Sequence, residues 1–355
     1  MMVGPTTVRS VDGRGSGGQY CRVRVVINDG ERDLEAGQGQ PLLFALMRER
    51  IYIPSACGGR ASCGQCRVRV LSGAPGYVEE ERKILGEQEM ARGVHLACQL
   101  RVRQETRIEL PRGYLDARSY RGTVGRIADL TRDMREIEID LVEPPGMTFL
   151  AGQYVQFVVP GTENDPQPLY RAYSMASPPS RPRRLALLFA RVTGGACTSH
   201  VFEKLRVGDP VTVNGPFGSF YLRDGERPLV FIAGGSGVAP VRAMLMDMAE
   251  RGASRTAVFF FSARSRADLV YTDDLRALQG RLPSLRFVPV LSRPLPEDRW
   301  DGERGGLPSV LARLLPPLDA HEAYLCGGPG LIDASISAMK SKGLRAEHTF
   351  YDKFS

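Results

Sequence analysis

The stretch 51-IYIPSACGGRASCGQC-66 places three of the seven cysteines of this 355-residue chain in a single loop rich in Gly and Ser. Five residues separate Cys57 from Cys63, and two residues separate Cys63 from Cys66. A fourth cysteine, Cys98, follows thirty-two positions later in a predicted strand. The interleaved glycines let the backbone wrap closely and leave amide groups free to donate hydrogen bonds to sulfur. The stretch therefore predicts a site made of three thiols from one loop and one from a distant strand.

Clustered cysteines in a reducing compartment indicate metal or redox chemistry rather than a disulfide framework. Soft thiolate ligands suit iron and sulfide. Zinc is the alternative metal, but structural zinc sites usually pair one CxxC with another. Here a single CxxC is joined by two thiols placed asymmetrically. The spacing favours an iron–sulfur cluster and leaves zinc or a chance grouping as alternatives.

The composition of the whole chain is that of a globular protein, with 43% hydrophobic and 25% charged residues. Its length corresponds to two or three domains at about 150 residues each. No apolar run approaches the roughly 18 residues of a membrane-spanning helix, and the N-terminus does not resemble a signal peptide. We therefore expect a cytoplasmic protein with no integral membrane segment. The net charge of +7 is not concentrated in one stripe, which argues against nucleic-acid binding.

Pattern changes along the chain predict four segments. Residues 1–18 are rich in Gly, Ser and Arg and are predicted to be flexible. Residues 19–114 mix strand and helix patterns around the cysteines, which predicts an α+β domain. Strand patterns separated by Pro and Gly turns dominate residues 117–225 and predict an antiparallel sandwich or barrel. Strands alternate with helices over 226–355, which predicts an α/β doubly wound parallel sheet.

The middle segment contains two short motifs suited to a phosphate-bearing aromatic cofactor. In 171-RAYS-174, Arg171 offers a guanidinium fork for a pyrophosphate. Tyr173 offers an aromatic face, and Ser174 offers a hydroxyl for a ring nitrogen. A strand end with a surface arginine explains this motif equally well. The second motif, 194-GGACTS-199, opens a predicted helix whose amides and dipole favour a phosphate.

The last segment has two glycine-rich turns, 233-AGGSGVAP-240 and 326-CGGPGL-331, each after a predicted strand. Such turns allow a nucleotide to approach the carboxyl ends of parallel strands. Arg264 and Arg266 follow the strand predicted at 256–263 and could accept the 2′-phosphate of NADPH. The residues expected to bind the nicotinamide dinucleotide here are Gly234, Gly235, Gly237, Gly327 and Arg264.

The cysteine segment, CGGRASCGQCRVRV followed by LACQL and IELP, resembles the ferredoxin module of the F subunit of Na+-translocating NADH:quinone oxidoreductase. Most plant-type ferredoxins have four residues between the first two cysteines, whereas this chain has five. The order of the three segments resembles the iron–sulfur flavoprotein reductases of the ferredoxin–NADP+ reductase superfamily. The resemblance implies a β-grasp ferredoxin domain, an antiparallel β-barrel that binds FAD, and an NAD-binding domain. It implies that the metal ligands of a 2Fe-2S cluster are Cys57, Cys63, Cys66 and Cys98.

The same resemblance implies roles for residues outside the cysteine loop. Cys326 would lie beside the nicotinamide, with a buried small apolar residue as the alternative. Phe354 is the best match to a C-terminal aromatic that covers the flavin, with an ordinary surface aromatic as the alternative. With Ser174, these two residues are the predicted catalytic residues. The residues expected to bind FAD are Arg171, Ala172, Tyr173, Ser174, Gly195, Thr198, Ser199 and Phe354.

The implied activity is transfer of a hydride from NADH to FAD, followed by transfer of single electrons through the cluster to a protein acceptor. We expect NADH rather than NADPH, because the F subunit has a similar ARSxR stretch and uses NADH. The F subunit also has an N-terminal membrane helix that this chain lacks. The chain therefore resembles the reductase components of bacterial multicomponent monooxygenases. Other acceptors remain open, namely a ring-hydroxylating dioxygenase, a quinone-linked membrane complex or a corrinoid protein, and so does a non-catalytic metal-binding or sensor protein.

Overall fold

The computed structural model describes residues 21–55, 57–161 and 168–354. These residues form three main sheets in chain order, one in each of the structured segments expected from the sequence. The first sheet is mixed, the second is antiparallel and the third is parallel. The segment 1–18, predicted to be flexible, lies outside the described residues.

The first domain is a five-stranded sheet in the order β2-β1-β7-β4-β5, with α1 packed against it. Strands β1 and β7 pair in parallel, and the other pairs are antiparallel. A two-stranded ribbon, β3-β6, lies beside the sheet. The strands are β1 Arg22–Ile27, β2 Arg32–Gly37, β3 Gln40–Pro41, β4 Arg67–Ser72, β5 Val94–Leu96, β6 Arg101–Val102 and β7 Thr106–Glu109. The helices are α1 Leu42–Arg48, α2 Glu79–Arg82, α3 Glu87–Ala91 and α4 Arg112–Leu115.

Two elements of this domain differ from the sequence prediction. The helix predicted near 78–86 ends at Arg82. Gly86, in extended backbone, then precedes α3, and its N–H donates to the Glu89 carboxylate (3.1 Å). The strand predicted over 94–102 is broken by a tight turn, in which the Leu100 N–H donates to the Leu96 carbonyl (3.0 Å). Cys98 therefore lies in a turn between strands rather than on a strand.

The second domain is a six-stranded antiparallel sheet in the order β11-β10-β13-β8-β9-β12. Its edge strands meet through a bridge between Met175 and Leu187, so the sheet closes into the predicted barrel. The motif 171–174 lies on strand β11, at its carboxyl end. The strands are β8 Arg118–Asp129, β9 Met134–Glu143, β10 Tyr154–Val159, β11 Leu169–Ser174, β12 Arg184–Ala190 and β13 Pro210–Phe217, and the short helix α5 is Ala196–Ser199, continued by a π-helical turn, His200–Lys204.

The third domain is a parallel sheet in the order β17-β16-β15-β14-β18-β19, covered by helices on both faces. Phe231 packs with α6 and α7 on one face, whereas its neighbours Val230 and Ile232 pack with α8 and α9 on the other. The strands are β14 Leu229–Gly234, β15 Ala257–Ala263, β16 Leu285–Leu291, β17 Glu303–Arg304, β18 Glu322–Gly327 and β19 Thr349–Lys353. The helices are α6 Val238–Glu250, α7 Thr272–Arg281, α8 Leu307–Leu314 and α9 Pro329–Lys340. Strand β19, which was not predicted from the sequence, pairs with β18 and leads to Phe354.

The first and second domains are joined through a buried glutamine. Gln156 on β10 has no solvent exposure, and its Nε2 donates to the carbonyls of Ile53 (3.3 Å) and Ser55 (3.4 Å). These carbonyls lie directly before the cysteine loop. The loop is therefore anchored to the barrel at its entry.

The second and third domains meet through polar contacts between β9 and the helices α6 and α7. The Tyr271 hydroxyl donates to the buried Glu136 carboxylate (2.7 Å), and Arg242 donates to the Ala176 carbonyl (2.9 Å). The Arg242 guanidinium also stacks over the Tyr271 ring at 4.3 Å. These contacts orient the parallel sheet so that β18 and β19 end beside β11. None of the described helices has the length and apolar character needed to cross a membrane.

Replacing Gln156 with Ala should destabilise the protein, because the carbonyls of Ile53 and Ser55 lose their donor in a buried position. An unsatisfied buried polar group costs about 1–3 kcal/mol. Thermal unfolding followed by circular dichroism measures the effect. The matched control is Gln38→Ala, which removes an exposed glutamine that donates to the Arg103 carbonyl (3.4 Å). Equal melting temperatures for the two variants would contradict the anchoring role of Gln156.

Candidate functional site

The four clustered cysteines converge in the structure as two pairs. The thiols of Cys57 and Cys63 are 3.4 Å apart, and those of Cys66 and Cys98 are also hydrogen-bonded to each other. Three of the four are buried, and Cys63 is half-buried. The Gln65 N–H donates to the Cys63 sulfur (3.5 Å), as expected for amides that stabilise sulfur charge. The turn that interrupts 94–102 is what brings Cys98 to the loop.

Four thiols, three from the loop and one from the turn after β5, match the four-cysteine donor set of a cluster with two irons. Hydrogen bonding from Cys63 lowers the pKa of the Cys57 thiol, and hydrogen bonding from Cys66 lowers the pKa of the Cys98 thiol. Each pair thus favours one thiolate, which is the ligating form. The donor set fits a 2Fe-2S cluster.

A cavity of about 650 Å³ lies where all three domains meet. It brings together the motif on β11, the turn before α5, the first glycine-rich turn, the C-terminal residues and the cysteine loop. The lining residues include Arg60, Gln65, Tyr154, Arg171, Ala172, Tyr173, Ser174, Gly194, Gly195, Cys197, Thr198, Ser236, Ala239, Asp352, Lys353 and Phe354. A pocket of this size, with aromatic, hydroxyl and cationic groups, suits a flavin dinucleotide.

The side chains of the motif on β11 have distinct surroundings. Tyr173 packs against Phe189 with ring centroids 4.0 Å apart, and its hydroxyl contacts the Cys197 sulfur at 3.4 Å. Burial raises its pKa well above the usual value, so it stays a neutral phenol. Ser174 is buried beside it and faces the same cavity. Arg171 donates to the carbonyls of Tyr170 (2.7 Å) and Cys57 (3.3 Å), which links the barrel to the cysteine loop.

The turn before α5 is braced by its own side chain. The Thr198 hydroxyl donates to the carbonyls of Val192 and Gly195, both at 3.1 Å. These two bonds hold the shape of the turn. Thr198 is also buried and lines the cavity. Gly195 also lines the cavity, whereas Ser199 does not.

The two glycine-rich turns interlock at the carboxyl ends of β14 and β18. A Cβ atom on Gly237 would lie 2.2 Å from the Cys326 carbonyl oxygen, so only glycine allows this approach. Gly327 has a φ of +149° and packs against the backbone of Gly234. Gly235 completes the first turn with a φ of +55°. The turns predicted to bind a dinucleotide are thus adjacent and form one surface.

Cys326 and Phe354 occupy different positions relative to the cavity. The Cys326 thiol is fully buried, and burial raises its pKa well above the usual value. It lies behind the cavity wall rather than in it. Phe354 lines the cavity, and its N–H donates to the Gly327 carbonyl (2.9 Å). The structure therefore brings Phe354 to the same cavity as the motif on β11, and its role in covering the flavin stays a prediction.

The two arginines after β15 are not equivalent. The Arg266 N–H donates to the Asp298 carboxylate and its guanidinium donates to the Asp298 carbonyl, both at 3.2 Å. Arg264 is exposed at the carboxyl end of the sheet, on the edge where the glycine-rich turns lie. It does not line the large cavity.

Three family models match successive parts of the chain. The 2Fe-2S iron–sulfur cluster binding domain matches residues 25–103, the oxidoreductase FAD-binding domain matches 121–221, and the oxidoreductase NAD-binding domain matches 231–336. The F subunit of the Na+-translocating NADH-quinone reductase of Neisseria meningitidis is 32% identical over 369 residues, which cover 92% of this chain and 90% of that protein. The chain belongs to the iron–sulfur flavoprotein reductases of the ferredoxin–NADP+ reductase superfamily. It is an oxidoreductase with 2Fe-2S, FAD and NAD-binding domains.

Two further relatives match the reductase along almost its full length. The phenol 2-monooxygenase reductase component DmpP of Pseudomonas sp. is 33% identical over 332 residues, which cover 90% of this chain and 91% of that protein. The crystal structure of the cytochrome P450 reductase GcoB of Amycolatopsis superimposes with a TM-score of 0.74 at 30% identity, covering 94% of this chain and 98% of that chain. Both alignments therefore extend over all three domains of this chain.

Several residues that line the cavity of the reductase were not predicted from the sequence. Ser236 and Ala239 fall within the glycine-rich motif but were not singled out, and Arg60 and Gln65 were hidden among the cysteines. Asp352 is the most informative omission. Its carboxyl group lines the cavity, and burial raises its pKa to about 6. Its position two residues before the C-terminal aromatic is the only sequence signal that could have found it.

Replacing any one of Cys57, Cys63, Cys66 or Cys98 with Ser should abolish or strongly reduce iron binding, because each pair needs both thiolates. Iron and sulfide content, together with the visible absorption of the purified variants, measure the effect. Cys21→Ser is the matched control, since Cys21 is exposed and outside the loop. Zinc in place of iron in the parent protein, or full iron content in a loop variant, would contradict the assignment.

The stability of the reductase should fall as the pH rises from about 4 to about 6, through the raised pKa of Asp352. The folded protein holds the Asp352 proton up to about pH 6, whereas an unfolded aspartate releases it near pH 4. Ionisation in the folded state therefore costs stability across this range. Asp352→Asn should remove this part of the decline in melting temperature. The control is Asp224→Asn, which changes a side chain that is 98% exposed and should leave the decline intact. Parallel curves of melting temperature against pH for the parent and both variants would contradict this role of Asp352.

Proposed function

We propose that the reductase transfers a hydride from NADH to FAD in the large cavity and passes single electrons to a 2Fe-2S cluster bound by Cys57, Cys63, Cys66 and Cys98. The cluster then reduces a protein acceptor. One observation carries the proposal: the motif on β11, the C-terminal aromatic and the cysteine loop line the same cavity. Electrons would therefore leave the flavin across the wall that Arg60 and Gln65 form.

The protein groups in the cavity position the reactants and set the local polarity. When bound, FAD accepts hydrides and releases single electrons, and a 2Fe-2S cluster accepts electrons one at a time. Ser174 has a buried hydroxyl at the cavity that would donate a hydrogen bond to the ring system of bound FAD, and Tyr173, packed against Phe189, would form an apolar wall beside it. Phe354 lines the same cavity and would shield bound FAD from water. Cys326 supports the nicotinamide turn from behind as a neutral thiol.

Two observations support NADH as the donor. The Arg266 guanidinium donates to the Asp298 carbonyl (3.2 Å), so this donor is used within the protein rather than by a 2′-phosphate. The relative from Neisseria is named an NADH-quinone reductase. Both arginines of the predicted pair are exposed, and Arg264 directly follows β15 at this edge. It would contact the adenosine half of the dinucleotide.

For the acceptor, we propose the hydroxylase of a multicomponent monooxygenase. The similarity to DmpP, a reductase component of a phenol 2-monooxygenase, supports this choice. The similarity to the F subunit of the NADH-quinone reductase keeps a quinone-linked complex as the second candidate. An assay of phenol 2-monooxygenase in which this reductase replaces DmpP distinguishes the two acceptors. Hydroxylation of phenol would support a hydroxylase partner, and its absence would favour the quinone-linked complex.

Anaerobic titration with NADH should bleach the flavin and iron–sulfur absorption bands together, and NADPH should act much more slowly. The low-temperature electron paramagnetic resonance signal of a reduced cluster should appear at the same equivalents of NADH. In Cys66→Ser, NADH should bleach the flavin band alone, because the electron path ends at the flavin. Equal rates with both nucleotides would contradict the choice of donor, and flavin bleaching without cluster reduction in the parent protein would contradict the electron path.

A further inference from the structure

Arg60 belongs to the cysteine loop, yet it lines the flavin cavity. Its backbone lies between Cys57 and Cys63, and its side chain borders the same space as Arg171 of the barrel. The Arg60 Nε donates to the Cys57 carbonyl at 3.1 Å, and the Arg171 Nη1 donates to the same oxygen at 3.3 Å. Two guanidinium groups from different domains thus converge on one carbonyl oxygen.

This convergence leaves two positive charges close together at the cavity wall. Among the described residues, neither Arg60 nor Arg171 forms an ion pair with a carboxylate. The other charged residues lining the cavity do not compensate them: Lys353 pairs with Asp333 at 2.6 Å, and within the described chain the Asp352 carboxyl group accepts no hydrogen bond from either arginine. Two guanidinium groups that donate to the same carbonyl oxygen repel each other, and an anion bound between them relieves this repulsion.

The close approach of the two domains is built into the loop backbone. Gly58, next to Cys57, has a φ of +65°, and a Cβ atom there would lie 2.7 Å from the Arg171 Nη1 and 3.0 Å from the Tyr170 carbonyl oxygen. A side chain at this position would push the loop away from β11. The glycine therefore allows Arg60 and Arg171 to reach the same part of the cavity.

We propose that Arg60 binds the diphosphate of FAD together with Arg171, so that the cofactor connects the cysteine loop to the barrel. This inference rests on the proposed flavin site and extends it to a residue of the ferredoxin domain. A guanidinium fork suits a diphosphate, which accepts paired hydrogen bonds. The diphosphate would supply the anionic hydrogen-bond partner that neither arginine finds in a carboxylate of the described residues. Flavin binding and the placement of the cluster beside the flavin are then coupled through one side chain.

The test compares flavin binding by the full chain after removal of its flavin, using FAD and riboflavin as probes and flavin fluorescence as the readout. Arg60→Ala should raise the dissociation constant of FAD about tenfold, which corresponds to about 1.4 kcal/mol. Riboflavin has no phosphate, so its affinity should be unchanged. Arg103→Ala is the matched control, because Arg103 is exposed in the same domain and does not line the cavity. It should leave both affinities at the parent value.

A second variant and a second readout keep the test decisive. Arg60→Lys keeps the charge but loses the fork, so it should weaken FAD binding by about two- to fourfold, in keeping with the difference between point-charge and bidentate contacts. The visible spectrum of the cluster shows whether the loop is still folded in each variant. If the FAD affinity of Arg60→Ala is unchanged while the cluster is intact, Arg60 does not bind the diphosphate and the proposal is wrong. An equal loss for FAD and riboflavin would also overturn it, since Arg60 would then act on the shape of the cavity.

These outcomes are separable from failure of the proposed function. If the parent protein binds neither FAD nor riboflavin, the flavin site itself is wrong. If the parent binds FAD and the Arg60 variants behave like the parent, the function stands and the role of Arg60 falls. The role of Arg60 can therefore be disproved while the flavin site stands.

Discussion

The attachment of the cysteine loop to the flavin barrel is the contact on which the rest of the site depends. Gln156, buried in β10, donates to two carbonyls at the entry of the loop, and Arg171 on the neighbouring strand donates to the Cys57 carbonyl. Both contacts use backbone carbonyls of the loop rather than its side chains. The position of the thiols relative to the cavity is therefore determined by backbone geometry, and the loop can carry side chains such as Arg60 into the cavity without losing its place.

The nicotinamide side of the cavity depends on close backbone packing of a different kind. The turns after β14 and β18 approach so closely that a Cβ atom on Gly237 would overlap the Cys326 carbonyl. This packing buries the Cys326 thiol and keeps it protonated. The same sheet adds β19 at its edge, which places Asp352 and Phe354 in the cavity. One sheet thus supplies both the turns predicted to bind a dinucleotide and two side chains that line the cavity.

The sequence predicted those features whose chemistry is local in the chain. The spacing of Cys57, Cys63 and Cys66, the motif on β11 and the glycine-rich turns each carry their signal within a few residues, and the three sheets follow from local periodicity. The sequence did not predict contacts between distant elements. Gln156 looks like an ordinary polar residue in a strand, and Asp352 like part of a polar tail. Cys98 was assigned to a strand because the apolar pattern of 94–102 does not reveal the turn made by hydrogen bonds at 96–100.

The way in which Phe354 is held has a consequence for timing. Residues 349–353 are paired with 323–327 along β18, whereas Phe354 is attached by a single backbone hydrogen bond to the Gly327 carbonyl. At the proposed cofactor site, moving the Phe354 ring out of the cavity requires this one backbone bond and the packing contacts of the ring to break, while β19 stays paired with β18. Local loop motions take nanoseconds to microseconds, whereas collective domain motions take microseconds to milliseconds. Opening of the cavity at this side chain is therefore a fast local motion that does not require the three domains to separate.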